Sequence, residues 1–241
     1  VYPYLTIGPA RIPSFGLMLV IAFLGAMWVL RRELKRQSLD PILSESLAIA
    51  AMAGGLIGAK AYYVLETFPL SLDDPLDFLF SGAGFTFYGG LIGGAAGVIF
   101  VIRHRALPLW SVLDAVALTL PLGYAVGRIG CQLAGDGDYG TPTHLAWGMA
   151  YPDGLIPTLE RVHPTPVYEA SASLAVFGTL LTFRARLAGT GRLLGLYLLL
   201  AGPARFFVEF IRSNPKMVFG LTDAQLISAV MTCVGVALFC L

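Results

Sequence analysis

The sequence predicts an all-α integral membrane protein with about seven transmembrane helices and a small extracytoplasmic head, the N-terminus outside and the C-terminus cytoplasmic. Three observations carry this. The 241 residues are 56% hydrophobic and only 13% charged, where a soluble domain has about 25% charged residues. Mean hydropathy is +0.75. Apolar runs approaching the roughly 20 residues that a spanning helix needs recur along the chain, and the Lys and Arg between them gather on alternate loops.

Taken in order, the spans are 15–30, 47–65, 87–102, 112–126, 168–183, 193–210 and 221–241. The first has no basic segment before it and no small-residue cleavage site after it, so it reads as a retained helix rather than a signal peptide. The fourth is short and fits by extension or tilt. Basic clusters follow the first span (Arg31, Arg32, Lys35, Arg36), the third (Arg103, Arg105) and the fifth (Arg184, Arg186, Arg192). Between Glu66 and Thr86 there are acids (Asp73, Asp74, Asp77) and no base. Basic loops stay in the cytoplasm, which sets the orientation. One polytopic domain over 1–241 is expected, with 127–167 as the outer head segment. That segment holds Gly-Asp-Gly-Asp-Tyr-Gly and several prolines. Its Trp147, Tyr139 and Tyr151 suit a membrane interface. Glycines at helical spacing (Gly54 and Gly58, Gly89 and Gly93, Gly90 and Gly94) predict closely packed helices.

The net charge of +1 leaves no basic face to neutralise phosphates along a strand, which argues against a nucleic-acid partner. Three cysteines make no disulfide framework. Cys233 and Cys240 fall in the last apolar run, and Cys131 lies beside an intramembrane arginine. Cys131, Asp136, Asp138 and His163 match no familiar zinc spacing, so no metal and no cofactor are expected.

Charged residues within the spans are functional candidates. Arg205 and Glu209 lie four apart on one helical face, with Arg212 three residues further on the same side. There Glu209 either neutralises Arg205 structurally or orients it toward a phosphate, which guanidinium binds bidentately. Arg128 sits in a glycine-rich helix end, with Gly127 and Gly130 around it, and suits an anionic headgroup; snorkelling is the alternative. His163-Pro164-Thr165-Pro166 opens the fifth helix, where Glu169 either favours the macrodipole or meets substrate. His163 is able to act as a base near neutral pH. Lys60 and Glu66 form a surface pair or line the cavity, and Asp114 needs a hydrogen-bond partner.

At these residues the chain resembles the bacterial prolipoprotein diacylglyceryl transferases. The resemblance runs through Ile7-Gly8-Pro9, Phe15-Gly16-Leu17-Met18, Phe87-Tyr88-Gly89-Gly90-Leu91, Gly127-Arg128-Ile129-Gly130, His163-Pro164-Thr165, Tyr168-Glu169, the 205–212 stretch and Gly220-Leu221-Thr222. It implies an enzyme of the bacterial inner membrane, with its active site toward the outer side. The implied reaction moves the diacylglyceryl group of phosphatidylglycerol to the lipobox cysteine of a prolipoprotein signal peptide, forming a thioether and releasing glycerol phosphate.

The resemblance makes Arg128, Arg205 and Arg212 the phosphate ligands, with Glu209, Asp136, Gly89, Gly90, Gly127 and Gly130 in support. Arg128, Arg205, Tyr88, Glu169 and His163 are the expected catalytic residues. Three departures matter, the first being Phe15 where the family more usually has tyrosine before Gly-Leu-Met. The family commonly has His-Gly-Gly where this chain has Tyr88-Gly89-Gly90, and Asn and Glu where it has Cys131 and Asp136. Neutral tyrosine is a poor base at pH 7. Tyr88 is therefore expected to position headgroup or thiol. The thiol proton goes to Glu169, His163 or Asp136, or the arginine field lets solvent take it. A lipid transferase with another acceptor and a non-enzymatic lipid-binding or transport protein are the alternatives, though no internal repeat supports transport.

Overall fold

The computed structural model describes residues 1–67, 86–212, 214 and 220–241. Seven α-helices occur among them: α1 (Ser14–Arg36), α2 (Leu43–Glu66), α3 (Phe87–His104), α4 (Leu109–Ala134), α5 (Thr165–Leu187), α6 (Arg192–Val208) and α7 (Asp223–Cys240). Each expected apolar window falls on one of them. Five helices are long and apolar enough to cross a membrane, namely α1, α2, α4, α6 with the turn that extends it to Ile211, and α7. The chain is thus an all-α, multi-pass membrane protein with five such helices among the described residues, where seven spans were expected. The described part of α3, Gly89–His104, is also apolar. In α5, Ser171, Ser173, Thr179, Thr182, Arg184 and Arg186 dilute an otherwise sufficient length. The acidic stretch with Asp73, Asp74 and Asp77, and the side chain of Tyr88, lie outside the described residues.

The chain groups into two compact units, one of Val1–Leu30 with Leu113–Leu241, the other of Arg31–Val112. In the second unit α2 packs on α3 through glycine. A Cβ at Gly58 would run into the Gly89 carbonyl oxygen, one at Gly93 into that of Gly54, and one at Gly97 into that of Ala50. Between lipid-facing helices there is no hydrophobic driving force, so close van der Waals contact has to hold the pair. Gly89 and Gly93 serve that contact, and Gly90 faces Ala59. Lys60 is buried on α2 with its ammonium 5.5 Å from the Tyr63 ring centroid, and Glu66 ends the helix.

In the first unit Val29, Leu118, Val176, Leu180 and Leu193 form a buried cluster drawn from α1, α4, α5 and α6. Asp114 has its partners here. Its carboxylate accepts from the backbone N–H groups of Thr190 (3.1 Å), Gly191 (2.9 Å) and Leu194 (2.9 Å), which satisfies the otherwise unpaired donors at the start of α6. Helix α7 begins with a capping box between Thr222 and Gln225. It meets α6 where Gly202 and Gly235 leave no room for a side chain.

Two antiparallel ribbons complete this unit. β1 (Tyr4–Ile7) pairs with β2 (Ala10–Pro13), and β3 (Met149–Tyr151) with β4 (Thr158–Val162). The segment between α4 and α5 is an ordered head whose core is Tyr139, Tyr151 and Val162, with Val1 packed against it. The two tyrosine rings stack at 4.0 Å. Tyr139 donates to the Ile156 carbonyl at 3.0 Å, and burial pushes its phenol up to about 12, so it keeps its proton.

A candidate lipid-phosphate site of three arginines

The polar centre of the first unit is built from α4, the loop after it, α5 and the end of α6. Tyr124 and Arg128 are four apart on α4, and the guanidinium carbon of Arg128 stands 4.9 Å from the centroid of the Tyr124 ring. Helix α4 approaches α1 beside Gly130, where an added Cβ would meet that of Met18 at 3.0 Å. At Gly123 and Gly127 an added Cβ would meet nothing within 4 Å. These two glycines leave open space next to Arg128.

Glu169, one turn into α5 and 2% exposed in its side chain, is the hub. Its Oε1 accepts from the Tyr124 hydroxyl at 2.8 Å and from Arg205 Nη1 at 3.0 Å. Its Oε2 accepts from Arg212 Nη1 at 3.2 Å and lies 3.2 Å from Arg128 Nε. Glu169 thus faces the arginines and makes no side-chain cap at the start of α5. Glu209 pairs with Arg205 at 2.7 Å and accepts from Asn214 Nδ2 at 2.5 Å. Its Oε2 is 3.9 Å from Arg212 Nε, a buried N–H with no hydrogen-bond partner among the described residues.

The expected continuous helical face for Arg205, Glu209 and Arg212 is corrected here. Helix α6 ends at Val208, residues Glu209–Ile211 tighten into a 3-10 turn, and Arg212 leaves in an extended conformation (φ −85, ψ 153). The turn redirects the chain so that Arg212 pairs with Gly140 of the head in an isolated β-bridge, while its guanidinium still reaches Glu169.

Asp138 closes the constellation. One oxygen is ion-paired with Arg128 and the other accepts from Arg212 Nη2 at 2.6 Å. Burial pushes its carboxyl up, but the Arg128 and Arg212 charges outweigh that and hold it below the usual carboxylate range. Three guanidiniums therefore face three carboxylates, Asp138, Glu169 and Glu209, and the charges cancel.

His163, Asp136 and Cys131 lie around this cluster. The His163 Nδ1 is 3.3 Å from the Tyr168 hydroxyl, which also accepts from Trp147 Nε1 at 2.7 Å. The His163 ring therefore turns to Tyr168 rather than to the arginines. Asp136 accepts from the backbone N–H of Asp138 at 3.3 Å. Cys131 is buried with its sulfur 3.8 Å from Arg128 Nη1. One donor atom from each of Cys131, Asp136 and Asp138 falls within 4.8 Å of the others. Both Asp138 oxygens are already bound to guanidiniums, however, and a cation there would face two positive charges.

Residues 3–241 match the sequence model of the family described as prolipoprotein diacylglyceryl transferase. The chain belongs to that family. It is 30% identical over 231 residues to a phosphatidylglycerol–prolipoprotein diacylglyceryl transferase of Clostridium tetani, covering 95% of this chain and 92% of the relative. The transferase of the same name from Symbiobacterium thermophilum is 32% identical, over 96% and 89% of the two chains. That of Chromohalobacter salexigens is 35% identical, over 97% and 89%. In this diacylglyceryl transferase the residues singled out from sequence, Arg128, Arg205, Arg212, Glu169 and Glu209, meet in one cluster. Tyr124 and the role of Asp138 were not foreseen. Tyr124 stands one helical turn before Arg128, a spacing that points to contact, and Asp138 figured only as a metal candidate.

Proposed function

We infer that this chain transfers the diacylglyceryl group of phosphatidylglycerol to the lipobox cysteine thiol of a prolipoprotein, and that the Arg128–Arg205–Arg212 cluster holds the donor phosphate. Membership of the transferase family supports the reaction. The convergence of three guanidiniums on Glu169 carries the assignment of the site. Side chains from two helices and a turn are brought to one carboxylate, so their positive charge is fixed in place before substrate arrives.

Such preorganisation is what this reaction asks for. The thiol sulfur attacks the glyceryl carbon next to the phosphate oxygen, the C–S bond forms, and the C–O bond breaks. The leaving glycerol phosphate keeps the electron pair, so negative charge grows on its oxygens. Fixed cations in a water-poor site stabilise that charge without reorganising. Arg128 and Arg205 lie on α4 and α6, and Arg212 brings a buried N–H with no acceptor among the described residues. Glu169 and Glu209 act here as anchors that set the guanidinium rotamers. Both Glu169 oxygens are taken up by Tyr124 and the three arginines. Tyr88 positions headgroup or thiol, Gly89 and Gly90 keep its helix seated, and His163 and Asp136 stand at the rim.

The chain is read as one polytopic domain of the bacterial inner membrane over 1–241, with seven spans, the N-terminus outside and the C-terminus cytoplasmic. Residues 127–167 form the outer head, and the arginine cluster lies toward the outer side where an exported precursor presents its cysteine. The alternation of basic loops supports this orientation. The open space along Gly123 and Gly127 is suited to admit the donor beside Arg128.

A reconstituted assay tests the reading. Purified protein in phosphatidylglycerol vesicles with a lipobox peptide releases glycerol phosphate, and the peptide gains the mass of one diacylglyceryl group. Release without a modified peptide would indicate another acceptor or hydrolysis. Neither product, with lipid still bound, would favour a binding or transport protein.

A further inference from the structure

Charge balance in the cluster leads beyond the donor-site reading, on which this inference rests. Three guanidiniums and three carboxylates already cancel, so a phosphodiester bringing one more negative charge needs a carboxylate to give up its arginines. Two of the three are poorly placed to do so. Glu209 has a fully buried side chain within the 3-10 turn, and Glu169 is 2% exposed on α5 with four partners. Asp138 is different, because it lies on the loop after α4 and its side chain is 35% exposed. Its backbone is pinned separately: the N–H donates to Asp136 Oδ1, and the carbonyl accepts from Thr165 Oγ1 at 2.5 Å. The side chain is free to rotate while the loop stays in place. Its two oxygens bridge Arg128 and Arg212 as two oxygens of a phosphodiester would.

We propose that Asp138 is the resident anion of the donor site and a further catalytic residue: the phosphodiester replaces its carboxylate on Arg128 and Arg212, and the freed Asp138 takes the proton of the acceptor thiol. The exchange keeps the arginines neutralised throughout. In the next step the S–H proton passes to the Asp138 carboxylate and the sulfur forms its bond to the glyceryl carbon. The C–O bond breaks, and glycerol phosphate leaves with the electron pair. Asp138 then returns its proton to the leaving phosphate or to water and closes again on Arg128 and Arg212. While bound to the two arginines, the carboxylate is held below its usual range despite burial and is a weak base. Once released from direct ion pairing, it lies beside Asp136 and Cys131, and its basicity rises. Donor binding thereby switches on the base, and no thiol is deprotonated before the lipid is in place.

The test uses the full chain in detergent and vesicles, with phosphatidylglycerol as ligand and phosphatidylcholine as the zwitterionic control. If the arginines are free in about a tenth of the molecules, Asp138→Asn tightens phosphatidylglycerol binding about tenfold. It also slows transfer by about a hundredfold or more, the scale of a lost general base. Unchanged or weaker binding, or transfer at the wild-type rate, overturns the proposal. Arg128→Ala separates the two readings. If it binds phosphatidylglycerol as the wild type does, the donor-site reading fails and this inference with it. Wild-type-like behaviour of Asp138→Asn alone overturns only the inference. Infrared difference spectra of the wild-type protein need no variant. Phosphatidylglycerol, but not phosphatidylcholine, should shift an aspartate carboxylate band, and a spectrum indifferent to phosphatidylglycerol contradicts the exchange.

Discussion

The Tyr124 hydroxyl donates to Glu169 Oε1 at 2.8 Å, joining α4 to α5 at the point where three arginines meet. The same ring lies against the Arg128 guanidinium, so one side chain steadies both a carboxylate and a cation. Tyr124→Phe keeps the ring and removes the hydrogen bond. A hydrogen bond to a charged group is worth about 1.5–3 kcal/mol, so a loss of about 10-fold or more in kcat/KM is expected. Tyr124→Leu, which removes the ring contact too, should lose more. Equal activity of the two variants would show that the ring contact with Arg128 contributes nothing.

Glu169→Gln leaves three guanidiniums close together without their shared counter-charge. Breaking a buried ion pair from one side costs about 3–5 kcal/mol. The variant is expected to melt well below the wild type in detergent and to lose transfer, and Glu169→Asp should be intermediate.

Asp114 separates structure from chemistry. Asp114→Ala deprives three backbone N–H groups of their acceptor at the start of α6. At about 1–3 kcal/mol for each buried group left unsatisfied, the melting temperature falls. KM for phosphatidylglycerol in the folded fraction is expected to match the wild type. A specific rise in KM would tie Asp114 to the donor site.

Gly93 tests the glycine contact of the second unit. Its added Cβ would collide with the backbone of Gly54 and Gly58, not with a movable side-chain end. Gly93→Ala should cost at least the roughly 1–3 kcal/mol of an overpacked core. Gly123→Ala, facing open space, should leave stability close to that of the wild type.

Acid should expose Asp138. Its carboxyl is held below the ordinary value of about 3.9, so its ion pairs stabilise the fold above that value and are lost as pH falls through the lower, folded-state value. Asp138→Asn lacks this contribution, and its stability is expected to fall less steeply below pH 4. Identical acid profiles would mean that the Asp138 pairs add no stability.

The helices were legible because hydropathy and basic loops are written locally in the chain. So were the Gly54, Gly58, Gly89 and Gly93 contact and the Arg205–Glu209 pair, which depend on helical spacing alone. The number of clear spans was harder to read, since polar residues dilute α5. The turn at Glu209–Ile211 was hidden as well, because nothing in Glu-Phe-Ile opposes a continued helix; there the pairing of Arg212 with Gly140 decides. The bridge from Asp138 to Arg128 and Arg212 joins residues up to 74 positions apart, and only the folded head brings them together.

The central claim is that the arginine cluster holds the phosphate of phosphatidylglycerol. The most direct measurement is phosphatidylglycerol binding to purified wild-type, Arg128→Ala, Arg205→Ala and Arg212→Ala protein, each titrated in phosphatidylcholine nanodiscs. Each lost guanidinium contact to a phosphate is worth about 1.5–3 kcal/mol, so each variant should bind about 10- to 100-fold more weakly while remaining folded. Folded variants that bind phosphatidylglycerol as tightly as the wild type would contradict the claim and place the headgroup elsewhere.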